Sequence, residues 1–197
     1  GTFFFFFLGV AGVSTLISKI IPAQDFFYIQ VDAIDSYSPY TLHNELWRSD
    51  GTAAGTFLLK KFDPTISYPI NLGSDISEYC NNSILGNEMF FAGFTTANGY
   101  ELWKSDGTVS GTVMVKDMTA GAGNTPMDGF TRLGSNVYSF TGSGQLWRTN
   151  GTDAGTVNIP LPAGLTVYVY NTMVAYNGKL IFVGYDATNG MEPWVSD

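Results

Sequence analysis

Few residues in this chain could carry covalent chemistry. His43 is the only histidine and Cys80 the only cysteine among 197 residues. A nucleophile–base pair would have to be built on His43, and the sequence has no Gly-x-Ser-x-Gly elbow to hold a serine against it. One cysteine excludes an intramolecular disulfide and a thiolate metal cluster, and Cys80 reads as a small buried hydrophobe. There is no Gly-x-x-x-x-Gly-Lys loop and no dinucleotide fingerprint. Gly121 and Gly123 follow a strand without a helix to aim at phosphate. Asp50, Asp106 and Asn150 could each offer calcium one oxygen, and Asp32 with Asp35 a further pair, but calcium takes about six to eight. Hydrolysis by carboxylates needs two acids in one pocket, and no pair stands at a telling spacing. The expectation is a protein that is not an enzyme, with no metal and no cofactor.

Recognition is a better prospect. Asp35, Tyr37, Tyr40 and His43 crowd into the stretch Ala33–Asn44, and Tyr68 lies with Pro69 in a second long connection after Lys61. Both stretches read as loops on one face of the molecule, an aromatic and acidic rim suited to a protein or glycan partner. The net charge of −8 and pI near 4.4 argue against nucleic acid and against anionic membrane surfaces.

The elements that would position this rim are announced by a repeated phrase. It reads Glu45-Leu46-Trp47-Arg48-Ser49-Asp50-Gly51-Thr52, then Glu101-Leu102-Trp103-Lys104-Ser105-Asp106-Gly107-Thr108. A looser copy is Gln145-Leu146-Trp147-Arg148-Thr149-Asn150-Gly151-Thr152, and a partial one is Glu192-Pro193-Trp194-Val195-Ser196-Asp197. All four tryptophans of the chain fall in the phrase, 56, 44 and 47 residues apart. Periods near 40–50 residues belong to propeller blades or to helical repeats of similar length. Side-chain periodicity favours strands, because no window shows a sustained helical period with caps. A second Gly-Thr follows each complete copy, at Gly55-Thr56, Gly111-Thr112 and Gly155-Thr156, and a short β-rich run comes next. Asn150-Gly151-Thr152 is also a glycosylation sequon, as is Asn81-Asn82-Ser83, but turn chemistry accounts for the former.

Each unit therefore reads as a four-stranded antiparallel meander. In the third the strands are Phe130–Leu133, Asn136–Thr141, Gln145–Arg148 and Thr156–Ile159. Alternation puts Glu101, Trp103 and Ser105 on one face of the sheet and Leu102 and Lys104 on the other. Each unit can then offer an apolar face to both neighbours. The position before Leu-Trp is Glu45, Glu101, Gln145 or Glu192, and the glutamine marks it as a hydrogen-bond acceptor rather than a catalytic charge.

One meander cannot bury two apolar faces alone, but blades stacked around an axis can. The fold expected is all-β: a β-propeller of four blades over 12–62, 75–118, 127–161 and 168–197. The last blade lacks its fourth strand, and Gly1-Thr2-Phe3-Phe4-Phe5 matches the Gly55-Thr56-Phe57-Leu58-Leu59 pattern that would supply it. Residues 2–9 thus read as a closing strand. A membrane or signal segment fits less well, because no basic residues precede the phenylalanines and Ser14, Thr15, Ser18 and Lys19 interrupt the apolar stretch.

The phrase, continued through Val109-Ser110-Gly111-Thr112-Val113-Met114-Val115-Lys116-Asp117, resembles the bacterial ELWxxDGT repeat family. The resemblance runs over the whole chain as four copies, most specific in the first two. It implies a secreted or cell-surface bacterial protein with a scaffold or binding role, and it transfers no catalytic residue. The function expected is an extracellular structural or adhesive module without membrane insertion. The alternative is a subunit of a surface filament or large assembly, self-associating by exchange of its phenylalanine-rich strand.

Overall fold

Tight turns and alternating apolar residues divide the chain into four antiparallel sheets. The structure is a computed structural model and describes residues 14–37, 40–63, 70–71, 83–167 and 173–196. Among these the regular elements are all strands, and no helix is long and apolar enough to cross a membrane. Sheet 1 holds β1 (Ser14–Pro22), β2 (Phe27–Tyr37), β3 (Tyr40–Ser49) and β4 (Phe57–Lys61). Sheet 2 holds β5 (Ile70–Asn71), β6 (Ile84–Leu85), β7 (Glu88–Thr95), β8 (Gly99–Ser105) and β9 (Val113–Lys116). Sheet 3 holds β10 (Met127–Leu133), β11 (Asn136–Thr141), β12 (Leu146–Thr149) and β13 (Val157–Ile159). Sheet 4 holds β14 (Thr166–Val167), β15 (Val174–Tyr176), β16 (Lys179–Asp186) and β17 (Gly190–Val195).

The phrase lies on β3, β8, β12 and β17, in register with the long strand before it. Trp47 faces Ile29, Trp103 faces Phe91, Trp147 faces Ser139 and Trp194 faces Phe182. Opposite this level the first strand is irregular in every sheet. In β1 the register slips between Ile17 and Lys19, and in β10 between Asp128 and Thr131. In sheets 2 and 4 the first strand is split in two, β5 and β6 both pairing with β7, and β14 and β15 both pairing with β16. Sheets 2 and 4 therefore begin earlier than residues 75 and 168, at Ile70 and Thr166.

Tryptophan and leucine divide the labour of packing. Leu46 lies in a core with Ile21, Tyr28, Leu59 and Phe62 of sheet 1 and Met89, Phe91 and Trp103 of sheet 2. Leu102 of sheet 2 packs with Met127, Phe130 and Val137 of sheet 3, and Trp147 covers that cluster. Leu146 and Phe140 of sheet 3 meet Leu180 and Phe182 of sheet 4, with Trp194 against them. Leu46, Leu102 and Leu146 thus point to the next sheet, and Trp103, Trp147 and Trp194 to the previous one. Losing such a leucine to alanine costs about 2–5 kcal/mol.

The fourth such interface is not made among the described residues. Sheets 1 and 4 share no strand, and Met191, Val195, Ile17 and Ile20 are exposed. The expected closing strand, residues 2–9, lies outside the described residues, as do Tyr68 and Cys80.

The expected loop Ala33–Asn44 is a correction. β2 runs on to Tyr37 and β3 starts at Tyr40, with Tyr37 paired to Tyr40, so this stretch is two long antiparallel strands. Alternating apolar residues continue the inward face through Ile29, Val31 and Ala33, all buried, and that pattern outweighs the serines and Pro39 that read as a loop.

Candidate functional site

The corner after each tryptophan is built from its own residues. Asp50 Oδ1 accepts the Thr52 amide at 2.9 Å and the Thr52 hydroxyl at 2.7 Å. Thr52 Oγ1 in turn accepts the Gly55 amide at 3.0 Å, and Thr56 Oγ1 donates to the Thr52 carbonyl at 2.6 Å. Ser49 Oγ bonds Thr56 Oγ1 and receives the Gly51 amide. The same bonds recur at Ser105–Thr112. They recur again at Thr149–Thr156, where Asn150 replaces the aspartate. The second glycine is required because a Cβ at Gly55, Gly111 or Gly155 would overlap the side chain of Asp50, Asp106 or Asn150. These oxygens are committed to the turn, and among the described residues no group of three His, Cys, Asp or Glu side chains is arranged to hold a metal ion.

The carboxyls in these corners are held below their ordinary range. At Asp50 the Thr52 hydroxyl and amide do this. At Asp106 burial pushes the group up, but the Thr108 hydroxyl and amide outweigh it.

The first hairpin carries the rim residues. β2 continues eight residues past Ile29, whereas β7 and β16 continue four past Phe91 and Phe182, and β11 two past Ser139. Four extra residues are about 13 Å of strand. Tyr37 and Tyr40 are backbone partners beside the tip. Asp35 is the extra residue of a bulge between the pairs Ile34–Leu42 and Ser36–Thr41.

At the base of this hairpin His43, Glu45 and Trp47 share one face of β3. His43 Nδ1 lies 2.8 Å from both Asp35 oxygens, and its Nε2 lies 3.0 Å from Glu45 Oε1. Glu45 Oε2 accepts the Trp47 indole N–H at 2.8 Å. His43 and Glu45 are buried and Asp35 is exposed at the outer end of the chain. Both neighbours of the ring are carboxylates, so serving both contacts takes two ring N–H groups. On the other face Asp32 accepts from Asn44 Nδ2 and, at 3.2 Å, from Gln30 Nε2. Asp32 and Asp35 therefore serve separate networks and form no shared cation site. Asn44 and Gln30 were missed in the sequence; Gln30 stands two residues along β2 from Asp32, and Asn44 is the partner of Asp32 across the β2–β3 pair, on the same face.

The glutamate position differs from copy to copy. Glu101 is fully buried and accepts the Met118 amide at 2.8 Å, the Thr119 amide at 3.3 Å and the Thr125 hydroxyl at 3.2 Å. Burial pushes its carboxyl up, and those hydrogen bonds offset part of the shift. Gln145 Oε1 accepts the Trp147 indole at 3.4 Å, while Glu192 is exposed. Among the described residues the indole N–H groups of Trp103 and Trp194 have no partner. These two rings lie over Gly93 and Gly184, where a Cβ would stand 2.8 and 2.9 Å from the indole Cδ1. Sheets 1 and 3 thus differ together from sheets 2 and 4. The odd pair bonds its indole to Glu45 or Gln145, and the even pair lays its indole on a glycine.

No protein-family model matches the chain, and no curated protein matches it. Among solved structures it is similar to the crystal structure of a computationally designed protein, Ika4, with a TM-score of 0.46 and 11% identity over 96% of each chain. At that level the likeness assigns neither fold nor function.

Proposed function

We propose that the four sheets serve as the blades of a propeller-type module, extracellular or at the cell surface, with a structural or adhesive role. The ELWxxDGT phrase and its periodicity support the blade reading. Recognition of a protein or glycan falls to the first hairpin. The observation that carries this is its length: the same element is cut short in the other three sheets, and here it extends beyond the scaffold with Asp35, Tyr37 and Tyr40 near its tip. A β-hairpin anchored by the Asp35–His43–Glu45–Trp47 chain, buried at His43 and Glu45, loses little conformational entropy when a ligand binds.

The test is a variant in which residues 36–41 are replaced by Asn-Gly, compared with the full chain on a glycan array and against candidate surface proteins. Binding by the full chain and not by the short-hairpin variant is expected. Equal binding by both would end the assignment of recognition to this hairpin.

A further inference from the structure

A histidine between two carboxylates ties the first hairpin to its sheet, and the two ends of that tie differ. His43 is 4% exposed on β3. Its Nδ1 meets both Asp35 oxygens at 2.8 Å, and its Nε2 meets Glu45 Oε1 at 3.0 Å. An ionised carboxylate cannot donate, so both contacts are hydrogen bonds only while the ring carries two N–H groups and a positive charge. Among the described residues no other ionisable side chain is bonded to the ring. β1 brings Thr15 and Ile17 to the same face, in the rows of His43 and Glu45, and β4 brings Lys61 opposite Glu45, where it is exposed.

Loss of one ring proton leaves one carboxylate facing a nitrogen lone pair, and the surroundings decide which. Glu45 is buried, and its other oxygen accepts the Trp47 indole N–H at 2.8 Å. A carboxylate in that place needs its second donor, because burial keeps water from replacing it. Asp35 has 31% of its side chain exposed and can turn to water. The neutral ring therefore keeps its proton on Nε2, and Asp35 is the partner released. Asp35 is also the extra residue of the β2 bulge, between the pairs Ile34–Leu42 and Ser36–Thr41. With no partner in the backbone register, it is joined to β3 through its carboxyl.

We infer that the proton on His43 Nδ1 is a pH-sensitive latch for the first hairpin. While the ring is doubly protonated Asp35 is held, and the strands beyond Ile34 and Leu42 are fastened to the sheet. When the ring is neutral Asp35 turns to solvent and that outer part of the hairpin frays. Order is thus present on the acid side of the ring's titration and lost as pH rises through it. The other copies of the repeat have Gly99, Ser143 and Gly190 at the histidine's place, so sheet 1 alone carries the device. The latch concerns the order of the hairpin and holds whether or not the hairpin binds a partner.

Amide hydrogen exchange and ring-nitrogen NMR test it on the wild-type chain, Glu45→Gln and Asp35→Ala. The range runs from about pH 5 to about pH 9, which covers the charge change of an imidazole. Circular dichroism and the amides of sheet 3, which should not respond, report on the fold. In the wild type the amides of residues 35–37 and 40–42 should lose about tenfold in protection as the ring becomes neutral, and the neutral ring should be the Nε2–H form. In Glu45→Gln the new amide donates to Nε2, Nδ1–H stays on Asp35, and protection should hold across the range. In Asp35→Ala protection should be low throughout. A neutral wild-type ring protonated at Nδ1 overturns the inference, as does a ring that keeps both protons across the range. So does hairpin protection that ignores the state of the ring, or an Asp35→Ala hairpin as protected as the acid wild type. A loss of protection in Glu45→Gln equal to that of the wild type also overturns it, because the pH response then lies elsewhere.

Discussion

Glu45 and Glu101 hold the same place in the repeated phrase, on the same strand of neighbouring sheets, yet they answer to different partners. Glu101 meets two backbone amides and a hydroxyl, none of which can turn into an acceptor where it stands except the hydroxyl. Glu45 meets an indole N–H and an imidazole, and an imidazole nitrogen can either donate or accept. The repeat puts an acceptor side chain at this position, buried in sheets 1 and 2 and exposed in sheets 3 and 4, and leaves open what it accepts from. Where the indole takes that acceptor, as in sheets 1 and 3, the neighbouring strand needs no glycine. In sheet 2 the backbone takes it, and in sheets 2 and 4 alike the indole has no partner among the described residues and rests on Gly93 or Gly184.

The strongest way to break the contrast is Gly93→Val, which gives sheet 2 the residue that sheet 1 has at the matching place, Val31. The added side chain collides with Trp103 and Phe62, and overpacking of this kind should cost roughly 3 kcal/mol. A urea titration that found no loss would show that the even indoles are free to take the odd pose.

Glu101→Gln comes next. The new amide turns an N–H group toward the Met118 or Thr119 amide, leaving buried donors unserved, at a cost of roughly 2 kcal/mol. It should also change the pH profile. The Glu101 carboxyl is raised in the fold, so its share of stability is full below the unfolded carboxylate range and is lost as pH rises through the folded value. Thermal unfolding of the variant should lack that decline.

Glu45→Gln should be milder, below about 1 kcal/mol. Its oxygen keeps the Trp47 indole, its amide donates to His43 Nε2, and Nδ1–H still reaches Asp35. Nitrogen NMR of the imidazole should then report the neutral Nδ1–H form. If Glu45→Gln proved as costly as Glu101→Gln, the adaptable ring would not be what separates the two sites.

Asp106→Asn should have the smallest effect at neutral pH, within about 0.5 kcal/mol, because Asn150 makes the same bonds in the third copy. Its signature is on the acid side. The Asp106 carboxyl is lowered in the fold, so its contribution is present above the unfolded carboxylate range and lost as pH falls through the folded value. Acid titrations of the variant should lack this component.

How much of this could be read from residues alone depends on how far the partners lie apart. The corner chemistry of Asp50-Gly51-Thr52 and the meander of sheet 3 were legible, because every partner is local and the strands are bounded by Gly134 and Gly142–Gly144. The opposite facing of Trp103 and Leu102 followed from strand alternation, and the acceptor role at the glutamate position from Gln145. The split first strands were not legible: β5 pairs with β7 across more than twenty residues, and a two-residue strand has no period. The first hairpin was misread because Ser36, Ser38 and Pro39 are turn-forming residue types, although Ser36 is paired with Thr41 within the strands. The Asp35–His43–Glu45 chain needs the bulge that brings Asp35 to His43, and sequence carries no mark of that slip in register. The glycine under the even tryptophans was in view as Gly93 and Gly184, two residues past Phe91 and Phe182, but only the packing of the indoles gives it meaning.

The corner from Ser49 to Thr56 bears on how such a chain grows. Its hydrogen bonds all close within eight residues and ask nothing of the sheet beyond them. A duplicated stretch of gene that includes it arrives with its turn already solved. Only the faces that leucine and tryptophan present to the neighbours must then be fitted anew, and it is on those faces that the four copies have diverged.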